Sequence, residues 1–231
     1  MTAAFFQDSV YFGVFVSLLA YAVGVWLRRK TGLSFLNPLL VSIVFVILFL
    51  VLFDIDYADY EKGASWLSYL LTPATVCLAV PLYQQMEVLK KNSKAIVCGI
   101  VGGALSSMAT VLLLAVMFGF THVAYVTFLP KSITTAIGMS VSEELGGIVS
   151  VTVVSIVITG VLGNIAAERF LKLIKVDEPI ARGIAIGSSS HAIGTAKAME
   201  MGVIEGATSS LSIVVSGVLT VVGASLFAMI L

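Results

Sequence analysis

The sequence has little charge, and this shortage excludes an ordinary soluble protein. Charged residues make up 11% of its 231 residues, whereas about 25% is usual for a soluble domain. Hydrophobic residues make up 59%, and the mean hydropathy is +1.08. The 13 basic residues equal the 13 acidic residues, so no excess of positive charge indicates nucleic-acid binding. The composition therefore predicts a polytopic membrane protein.

Cysteine is scarce, and motifs for nucleotides or catalysis are absent. Cys77 and Cys98 lie in apolar runs without metal-ligand spacing, so we expect both to be small buried hydrophobic residues. No glycine-rich phosphate-binding motif occurs, and no Ser, His and Asp residues form a defensible catalytic arrangement. We therefore expect no cofactor, no metal and no enzymatic activity. The N-terminus also lacks the marks of a removable signal peptide, so the first apolar run is interpreted as a retained span.

Six apolar runs approach the length of about 20 residues that a helix needs to cross a bilayer. They cover residues 9–27, 35–53, 66–85, 95–118, 149–167 and 210–231. In the third run, Pro73 and Pro81 each remove a backbone N–H, which predicts a broken helix. We expect Thr72, Pro73 and Thr75 to be secondary contributors to a solute site. A simple kinked span is the alternative.

The basic residues predict an orientation in the membrane. Ten of the 13 Lys and Arg residues fall in loops 28–30, 90–94 and 169–182, whereas loop 54–61 is acidic. The positive-inside rule places the three basic loops in the cytoplasm and the N-terminus outside. Residues 130–147 then cannot cross the membrane completely, because a full crossing would move loop 169–182 outside. We predict that this segment is re-entrant or broken, which is tolerated where protein or a water-filled cavity covers the backbone.

Residues 187–206 form a second polar segment, which apolar sequence encloses. Its ionisable groups are costly at membrane depth and by default mark the path of a solute or proton. Its Thr195 matches Thr135 of the earlier segment, and each segment leads into a span with a Gly-Val-Leu stretch, at 160–162 or 217–219. The match predicts an inverted repeat, as in many secondary transporters. The alternatives are a cytoplasmic loop with a short solvated helix, and a chance match between helices of small residues.

These patterns predict an all-α polytopic membrane protein. About six full spans are accompanied by two re-entrant or broken helical segments that form the inverted repeat. Residues 1–231 are expected to form a single integral membrane domain, with the N-terminal spans in 1–128 and the two repeats in 129–231. The N-terminal ends of the two broken segments are predicted to meet near the middle of the membrane, where Thr135 and Thr195 flank one cavity.

The polar segments carry the residue types that bind a small anion. If Pro130 opens a helix, Lys131 and Thr135 share a face, and if Ser190 caps the later helix, Lys197 lies on its face. Helix N-termini add unpaired N–H groups, and the combination suits a carboxylate. The predicted substrate-binding residues are Lys131, Thr134, Thr135, Ser190, His191, Thr195, Lys197 and Glu200. The secondary candidates that balance the lysines in an empty site are Glu143, Glu144 and Glu205.

Some of these residues also have a purely structural interpretation. Lys197 and Glu200 lie within pairing distance on a helix, and the alternative is a packing salt bridge. For His191 the alternative is a hydrogen-bonded core histidine without a proton-linked role. We nevertheless predict that Lys131 and Lys197 both supply positive charge to one anion site.

Three long motifs resemble the LrgB/CidB family of bacterial membrane proteins over nearly the full chain. They are LLTPATVCLAVPLYQQ at 70–85, LPKSITTAIGMSVSEELGG at 129–147 and ARGIAIGSSSHAIGTAKAMEMGVIEGATSSL at 181–211. The resemblance implies a multi-pass protein of the bacterial inner membrane, encoded beside a smaller LrgA/CidA-type partner. It also implies one of two roles: transport of small monocarboxylates, or holin/antiholin-like modulation of murein hydrolase export and autolysis.

An anion site at mid-membrane separates these two roles. Transport requires convergent polar groups there, whereas a regulator that acts by oligomerising does not. The lysines, hydroxyls and half-helix ends favour transport of pyruvate-, glycolate- or 3-hydroxypropionate-like anions. We expect the protein to contact the lipid bilayer, a small carboxylate anion and the LrgA/CidA-type partner, to form a homo-oligomer and to bind no nucleic acid.

Overall fold

The computed structural model describes residue 9, residues 11–32 and residues 36–231, and the regular structure within these ranges is helical. The described helices are α1 Phe12–Thr31, α2 Pro38–Leu52, α3 Tyr57–Ser68, α4 Leu71–Cys77, α5 Ala79–Gln84, α6 Met86–Lys91, α7 Ser93–Phe118, α8 His122–Phe128, α9 Thr135–Glu144, α10 Val149–Leu173, α11 Pro179–Met201 and α12 Val203–Ala228. The stretches long and apolar enough to span a membrane are Phe12–Thr31, Tyr57–Gln84, Ser93–Phe118, Val149–Leu173 and Val203–Ala228, and Pro38–Leu52 is a shorter apolar helix. The all-α polytopic fold is confirmed.

The described chain divides into two compact units, Met1–Cys77 and Leu78–Leu231. In the first unit, helix α1 packs closely because its glycines lack side chains. A Cβ on Gly13 would overlap the carbonyl oxygen of Tyr60 in α3, and a Cβ on Gly24 would lie 2.7 Å from the carbonyl oxygen of Pro38 in α2. The side chain of Asp56 accepts a hydrogen bond from Ala58 N and caps α3. Most of the predicted acidic loop is therefore helical, which corrects its assignment as a loop.

Both prolines of the third apolar run mark helix ends, as the sequence predicts. Pro73 lies four residues after Tyr69, which caps the end of α3, and Pro81 lies four residues after Cys77, the last residue of α4. A proline ring clashes with the carbonyl four residues earlier, so each preceding helix stops at that carbonyl. The run is consequently divided into short helices, which together form part of the apolar stretch Tyr57–Gln84.

The expectation that the cysteines are buried is wrong. Cys77 and Cys98 are both exposed. An apolar run in a membrane protein need not be buried inside the protein, because lipid covers its outward face. The apolar context of a cysteine therefore does not predict its burial here.

In the second unit, helix α11 reverses direction at His191, the one residue inside α11 with non-helical φ and ψ, at 43° and −141°. A Cβ on Gly194 would lie 3.0 Å from Ile186 Cγ2 and 3.5 Å from Ile186 O. Residues eight apart in a straight helix would be separated by about 12 Å. Residues 179–190 and 192–201 therefore form an antiparallel re-entrant hairpin, which we call hairpin B.

Hairpin B packs against the first half of α12. A Cβ on Gly187 would overlap the carbonyl oxygen of Ser209, and Thr195 Oγ1 lies 2.6 Å from Ser209 Oγ. Thr195 is fully buried, and Gly194 and Ala198 are buried beside it. The alternative of a solvated cytoplasmic loop for residues 187–206 is therefore wrong.

Helices α8 and α9 form the corresponding hairpin, hairpin A (residues 122–144). A Cβ on Gly138 would lie 3.5 Å from the carbonyl oxygen of Pro130, so the chain turns back between them. Thr152 Oγ1 of α10 lies 2.9 Å from Thr127 O of α8 and 2.7 Å from Ser142 Oγ of α9. These buried contacts hold both arms of hairpin A against the start of α10. Residues 130–147 are thus re-entrant, as the charge distribution predicts.

The two hairpin-plus-helix repeats run in opposite directions. Helix α10 runs parallel to the second arm of hairpin B, because Gly160 meets His191, Asn164 meets Ile193 and Glu168 meets Lys197. Helix α12 runs parallel to the first arm, because Gly183 meets Glu205 and Thr208 while Gly187 meets Ser209 and Ser212. The arms are antiparallel, so α10 and α12 are antiparallel as well. This antiparallel arrangement is the one that the predicted inverted repeat requires.

Equivalent glycines in α10 and α12 receive the hairpins of the opposite repeat. A Cβ on Gly160 would lie 2.8 Å from His191 Cε1 of hairpin B, and a Cβ on Gly217 would lie 3.1 Å from Ile137 Cδ1 of hairpin A. These are the glycines of the matched Gly-Val-Leu stretches. Their small size lets each hairpin approach the middle of a long helix.

The basic segments 90–94 and 169–182, which are predicted as loops but are mostly helical, lie at one end of the second unit. Helix α7 is parallel to the first arm of hairpin B, because Gly99 meets Ile184 and Gly103 meets Ser188. The beginnings of α7 and α11 therefore share an end. Both basic loops border this end, and the positive-inside rule predicts that it faces the cytoplasm.

We expect cysteines introduced at Lys91 and Lys172 to resist an impermeant thiol reagent in intact cells. Both side chains are exposed, so permeabilised cells should be labelled at both positions. The measurement uses a background in which Cys77 and Cys98 are replaced by Ser. Labelling of both positions in intact cells would reverse the orientation.

Candidate functional site

A cavity of about 800 Å³ lies in the second unit where the tips of the two hairpins meet. Hairpin A contributes Lys131 and Ser132, and hairpin B contributes Ser188, Ser189 and Ser190. Helices α7 and α10 form the facing walls. The re-entrant segments thus converge on one cavity, and Lys131 and Ser190 are the predicted primary residues that line it.

Lys131 is the only cation among the cavity-lining residues of the described chain. Its Nζ donates a hydrogen bond of 3.1 Å to Ser132 Oγ, which lies 2.8 Å from Ser107 Oγ of α7. Within the described residues, no carboxylate forms an ion pair with Lys131. The cavity therefore offers an ammonium group and adjacent hydroxyls to an anion.

Lys131 reaches the cavity from a turn rather than from a helix face. Helix α9 begins at Thr135 and has Thr134 as its N-cap residue, so Pro130 does not open a helix. This corrects the predicted stripe of Lys131 and Thr135 along one face. Lys131 N instead donates to Phe128 O, which places the lysine in the turn at the tip of hairpin A.

The tip of hairpin B is fixed by His191 and by close packing. His191 Nε2 lies 3.0 Å from the carbonyl oxygen of Ile156. A carbonyl only accepts, so Nε2 carries the hydrogen. The histidine is 3% exposed, which fits the core-histidine interpretation, and its proton-linked role stays a prediction. A Cβ on Gly163 would overlap Ser190 Oγ, so the glycine admits this serine.

The break in α11 comes one residue after the predicted cap. Ser190 is still helical, and the reversal occurs at His191. Ser190 therefore does not cap the second arm, because the histidine that binds Ile156 O in α10 takes the non-helical conformation. Ser190 faces the cavity instead.

We expect Asn164→Ala to lower the free energy of unfolding by about 1–3 kcal/mol. Asn164 Nδ2 donates a hydrogen bond of 2.6 Å to Ile193 O, just after the helix break. Losing this donor removes a partner from a carbonyl at the hairpin tip. The measurement is denaturant-induced unfolding in detergent.

Asn92→Ala provides a matched control for this variant. Asn92 Nδ2 donates a bond of 2.9 Å to Val88 O at the end of α6, and this carbonyl also accepts from Asn92 N. The bond is local and joins no second helix to the tip, so the control should lose less stability. Equal losses in the two variants would contradict a special role for Asn164 at the tip.

Of the predicted primary residues, Lys131 and Ser190 line the cavity. Lys197 is directed to the end of α10, where its Nζ lies 2.8 Å from Glu168 Oε2 and 3.4 Å from Glu200 Oε2. This arrangement matches the salt-bridge interpretation of Lys197 and Glu200. Thr134, Thr135, His191 and Thr195 lie outside the lining of this cavity. Their substrate-binding roles stay predictions.

The secondary candidates are dispersed. Glu143 and Glu144 are exposed at the end of α9, and Glu205 is 7% exposed in the first turn of α12. Thr72 and Pro73 are exposed in α4 of the first unit, whereas the side chain of Thr75 lies outside the described part of the structure. Glu143, Glu144 and Glu205 do not line the cavity of the second unit.

Most of the hydroxyl groups in the cavity are not among the residues predicted from the sequence. The additional polar lining residues are Ser106, Ser107, Thr110, Ser132, Glu178, Ser188 and Ser189. Three of the hydroxyls come from α7, whose sequence SSMAT interrupts an otherwise apolar span. Small hydroxyl residues commonly mediate helix packing in membranes, so this signal alone does not identify a site.

Comparison with known proteins gives a consistent family assignment. Residues 17–230 match the LrgB-like family. The chain is 39% identical over 214 residues to the antiholin-like protein LrgB of Bacillus subtilis, covering 92% of this chain and 93% of the relative. It is 37% identical over 207 residues to the holin-like protein CidB of Staphylococcus aureus, covering 90% of each. It is also 37% identical over 218 residues to the antiholin-like protein LrgB of Bacillus mycoides, covering 94% and 95%.

No solved structure matches this chain. The apolar helices and the bacterial relatives together identify a multi-pass bacterial membrane protein. The family match and the relatives both cover most of the chain. The protein therefore belongs to the LrgB-like family.

Proposed function

We propose that the protein transports small monocarboxylates such as pyruvate, glycolate or 3-hydroxypropionate across the bacterial inner membrane. The observation that carries the proposal is the position of Lys131. Its ammonium group lies in a cavity between two re-entrant hairpin tips and has no carboxylate partner among the described residues. An uncompensated cation at membrane depth is costly and marks a solute path.

The surrounding groups suit a hydroxy- or keto-carboxylate. The ammonium group of Lys131 pairs with the carboxylate, and the hydroxyls of Ser107 and Ser132 lie next to it. Ser190 of hairpin B can donate to a second oxygen of the solute, whereas Ser188 and Ser189 donate to carbonyls of their own arm. Inverted repeats with broken helices at the site are the usual plan of secondary transporters. None of these groups requires a cofactor or covalent catalysis, so we propose a non-enzymatic role.

We further propose that an LrgA/CidA-type small membrane protein is the partner, and that the chain works as a homo-oligomer. The names of the relatives support such a pairing. Exposed apolar side chains on the long helices provide surfaces for lipid and for other membrane helices. The basic loops are proposed to face the cytoplasm and the N-terminus the outside.

A holin/antiholin-like role in murein hydrolase export and autolysis is the second candidate. The names of the relatives favour it directly, because they are antiholin-like LrgB and holin-like CidB proteins. A regulator of this type acts by assembly and needs no solute bound to Lys131. The two roles therefore differ in whether a carboxylate occupies the cavity.

Uptake into sealed vesicles tests the proposal. Labelled pyruvate, glycolate and 3-hydroxypropionate are offered to vesicles containing the protein with and without its small partner. Saturable uptake above empty vesicles, inhibited by unlabelled solute, is the expected result. Absence of uptake for every solute in both preparations, together with an autolysis phenotype in cells, would favour the regulatory role.

A further inference from the structure

We propose that the cavity binds carboxylates with an extended apolar body, such as medium-chain fatty acids, with the carboxylate at the hairpin tips. This inference rests on the proposed function, because it uses Lys131 as the anion-binding group. It concerns the rest of the cavity, which a solute as small as pyruvate leaves largely empty. The cavity volume of about 800 Å³ lies within the range of about 300–1,000 Å³ that holds drug-sized ligands.

The hydroxyl and amine groups of the cavity are separated along its length from most of its apolar residues. The hydroxyl and amine groups lie at the hairpin tips, on α7 from Ser106 to Thr110, at Lys131 and Ser132, and at Ser188 to Ser190. The other end is lined by Ala167, Phe170, Ile174, Ile180, Ala181 and Ile184. A ligand that matches both ends carries a polar head and an apolar body.

The separation extends over the length of an alkyl chain. Ile180 and Ser190 lie on the first arm of hairpin B, ten residues apart. Ten helical residues span about 15 Å. On the opposite wall, Gly163 lies at the tip beside Ser190, and Phe170 lies about two turns away. The apolar residues of the far end therefore extend along both walls toward the tips, and we call this part of the cavity the apolar lane.

The charges of the cavity orient such a ligand. Lys131 lies at the tip end, and Glu178 is the only acidic lining residue within the described chain, at the start of α11. The glutamate repels a carboxylate at the far end, whereas the lysine attracts one at the tips. The far end also keeps open apolar surface, since Phe170 is 57% and Ile174 49% exposed. An alkyl body covering these side chains gains free energy by burial.

A series of carboxylates of increasing chain length measures how much the alkyl body contributes to binding. The full-length protein in nanodiscs is titrated calorimetrically with acetate, butyrate, hexanoate and octanoate, and octanamide serves as the uncharged control. We expect affinity to rise roughly fourfold per buried methylene, and octanamide to bind much more weakly than octanoate. Lys131→Met should weaken every carboxylate in the series.

Two variants place the alkyl body in the lane. Ala185 is an exposed lining residue, and Ala185→Phe should reduce the ratio of octanoate to acetate affinity by at least tenfold. Ala181→Phe, one turn away, provides a second test if the first variant does not fold. Ala109→Phe changes an exposed alanine of α7 outside the lining and should keep the wild-type ratio.

The outcomes separate this inference from the proposed function. Equal affinity for acetate and octanoate, with both weakened by Lys131→Met, overturns the apolar lane and keeps the carboxylate site. Binding of octanamide as tight as that of octanoate overturns the inference in favour of a lipid-like cleft. Acetate and pyruvate binding that is unchanged by Lys131→Met overturns the carboxylate site itself.

Discussion

Replacing Lys131 by Met is expected to weaken carboxylate binding by tenfold to over a hundredfold. The variant keeps the apolar stem and removes the charged donor. A hydrogen bond to a charged group contributes about 1.5–3 kcal/mol, which corresponds to roughly that change in affinity. Because no described carboxylate pairs with Lys131, its removal leaves no orphaned acid and the fold should persist. The measurement is the concentration dependence of solute uptake, or direct binding to purified protein.

Lys197→Met is the informative comparison. The sequence predicts that both lysines bind the anion, but the structure pairs Lys197 with Glu168 and Glu200 outside the cavity. We therefore expect Lys197→Met to act mainly on stability, because Glu168 loses its ion pair with Lys197 and keeps the one with Lys172. Equal losses of carboxylate affinity in the two variants, with normal folding, would support the original pairing of the lysines in one site. Unchanged affinity in both would make each lysine structural.

Gly187→Leu is expected to destabilise the protein by about 3 kcal/mol or to prevent assembly of hairpin B. The first arm of this hairpin touches α12 so closely that a Cβ on Gly187 would overlap Ser209 O and lie 2.8 Å from Ser209 Cα. Overpacking typically costs about 1–3 kcal/mol, and backbone atoms cannot rotate away as a flexible side chain can. The measurement is unfolding in detergent, with protein yield as a second reading.

Gly102→Leu is the matched control for Gly187→Leu. Gly102 lies in the middle of α7, and a Cβ there meets nothing within 4 Å. A helical glycine replaced by leucine gains helix propensity, so this variant should be as stable as the wild type or more so. If Gly187→Leu is equally well tolerated, the packing of hairpin B against α12 is wrong.

The inverted repeat could be predicted because it depends on features that sequence carries directly. The distribution of Lys and Arg fixes the parity of the crossings, so residues 130–147 had to be re-entrant. Gly160 and Gly217 recur at equivalent places because each long helix must admit a hairpin. The prolines at 73 and 81 mark helix ends by local sterics. These constraints are either local in the sequence or follow from the number of membrane crossings, and the structure agrees with them.

The site could be predicted only in part because it depends on tertiary contacts. Lys197 finds Glu168 on another helix, and no local spacing indicates that pair. The break in α11 is at His191 because its ring bonds to Ile156 O of α10, whereas local capping rules favour Ser190. The hydroxyls of α7 resemble ordinary packing residues until both hairpin tips are placed beside them. Lys131 lines the cavity, in line with the cost of a cation at membrane depth, and its substrate-binding role stays a prediction.

The central claim is that one carboxylate binds at Lys131 between the tips of both hairpins. The most direct measurement is protection of cysteines from a small thiol reagent by pyruvate, in a background with Cys77 and Cys98 replaced by Ser. Ser132→Cys reports on hairpin A and Ser189→Cys on hairpin B, since both positions line the cavity. We predict that pyruvate slows labelling at both positions and that Lys131→Met abolishes this protection. The claim would be contradicted if pyruvate slowed labelling at neither position. It would also be contradicted if pyruvate slowed labelling equally in the Lys131→Met variant.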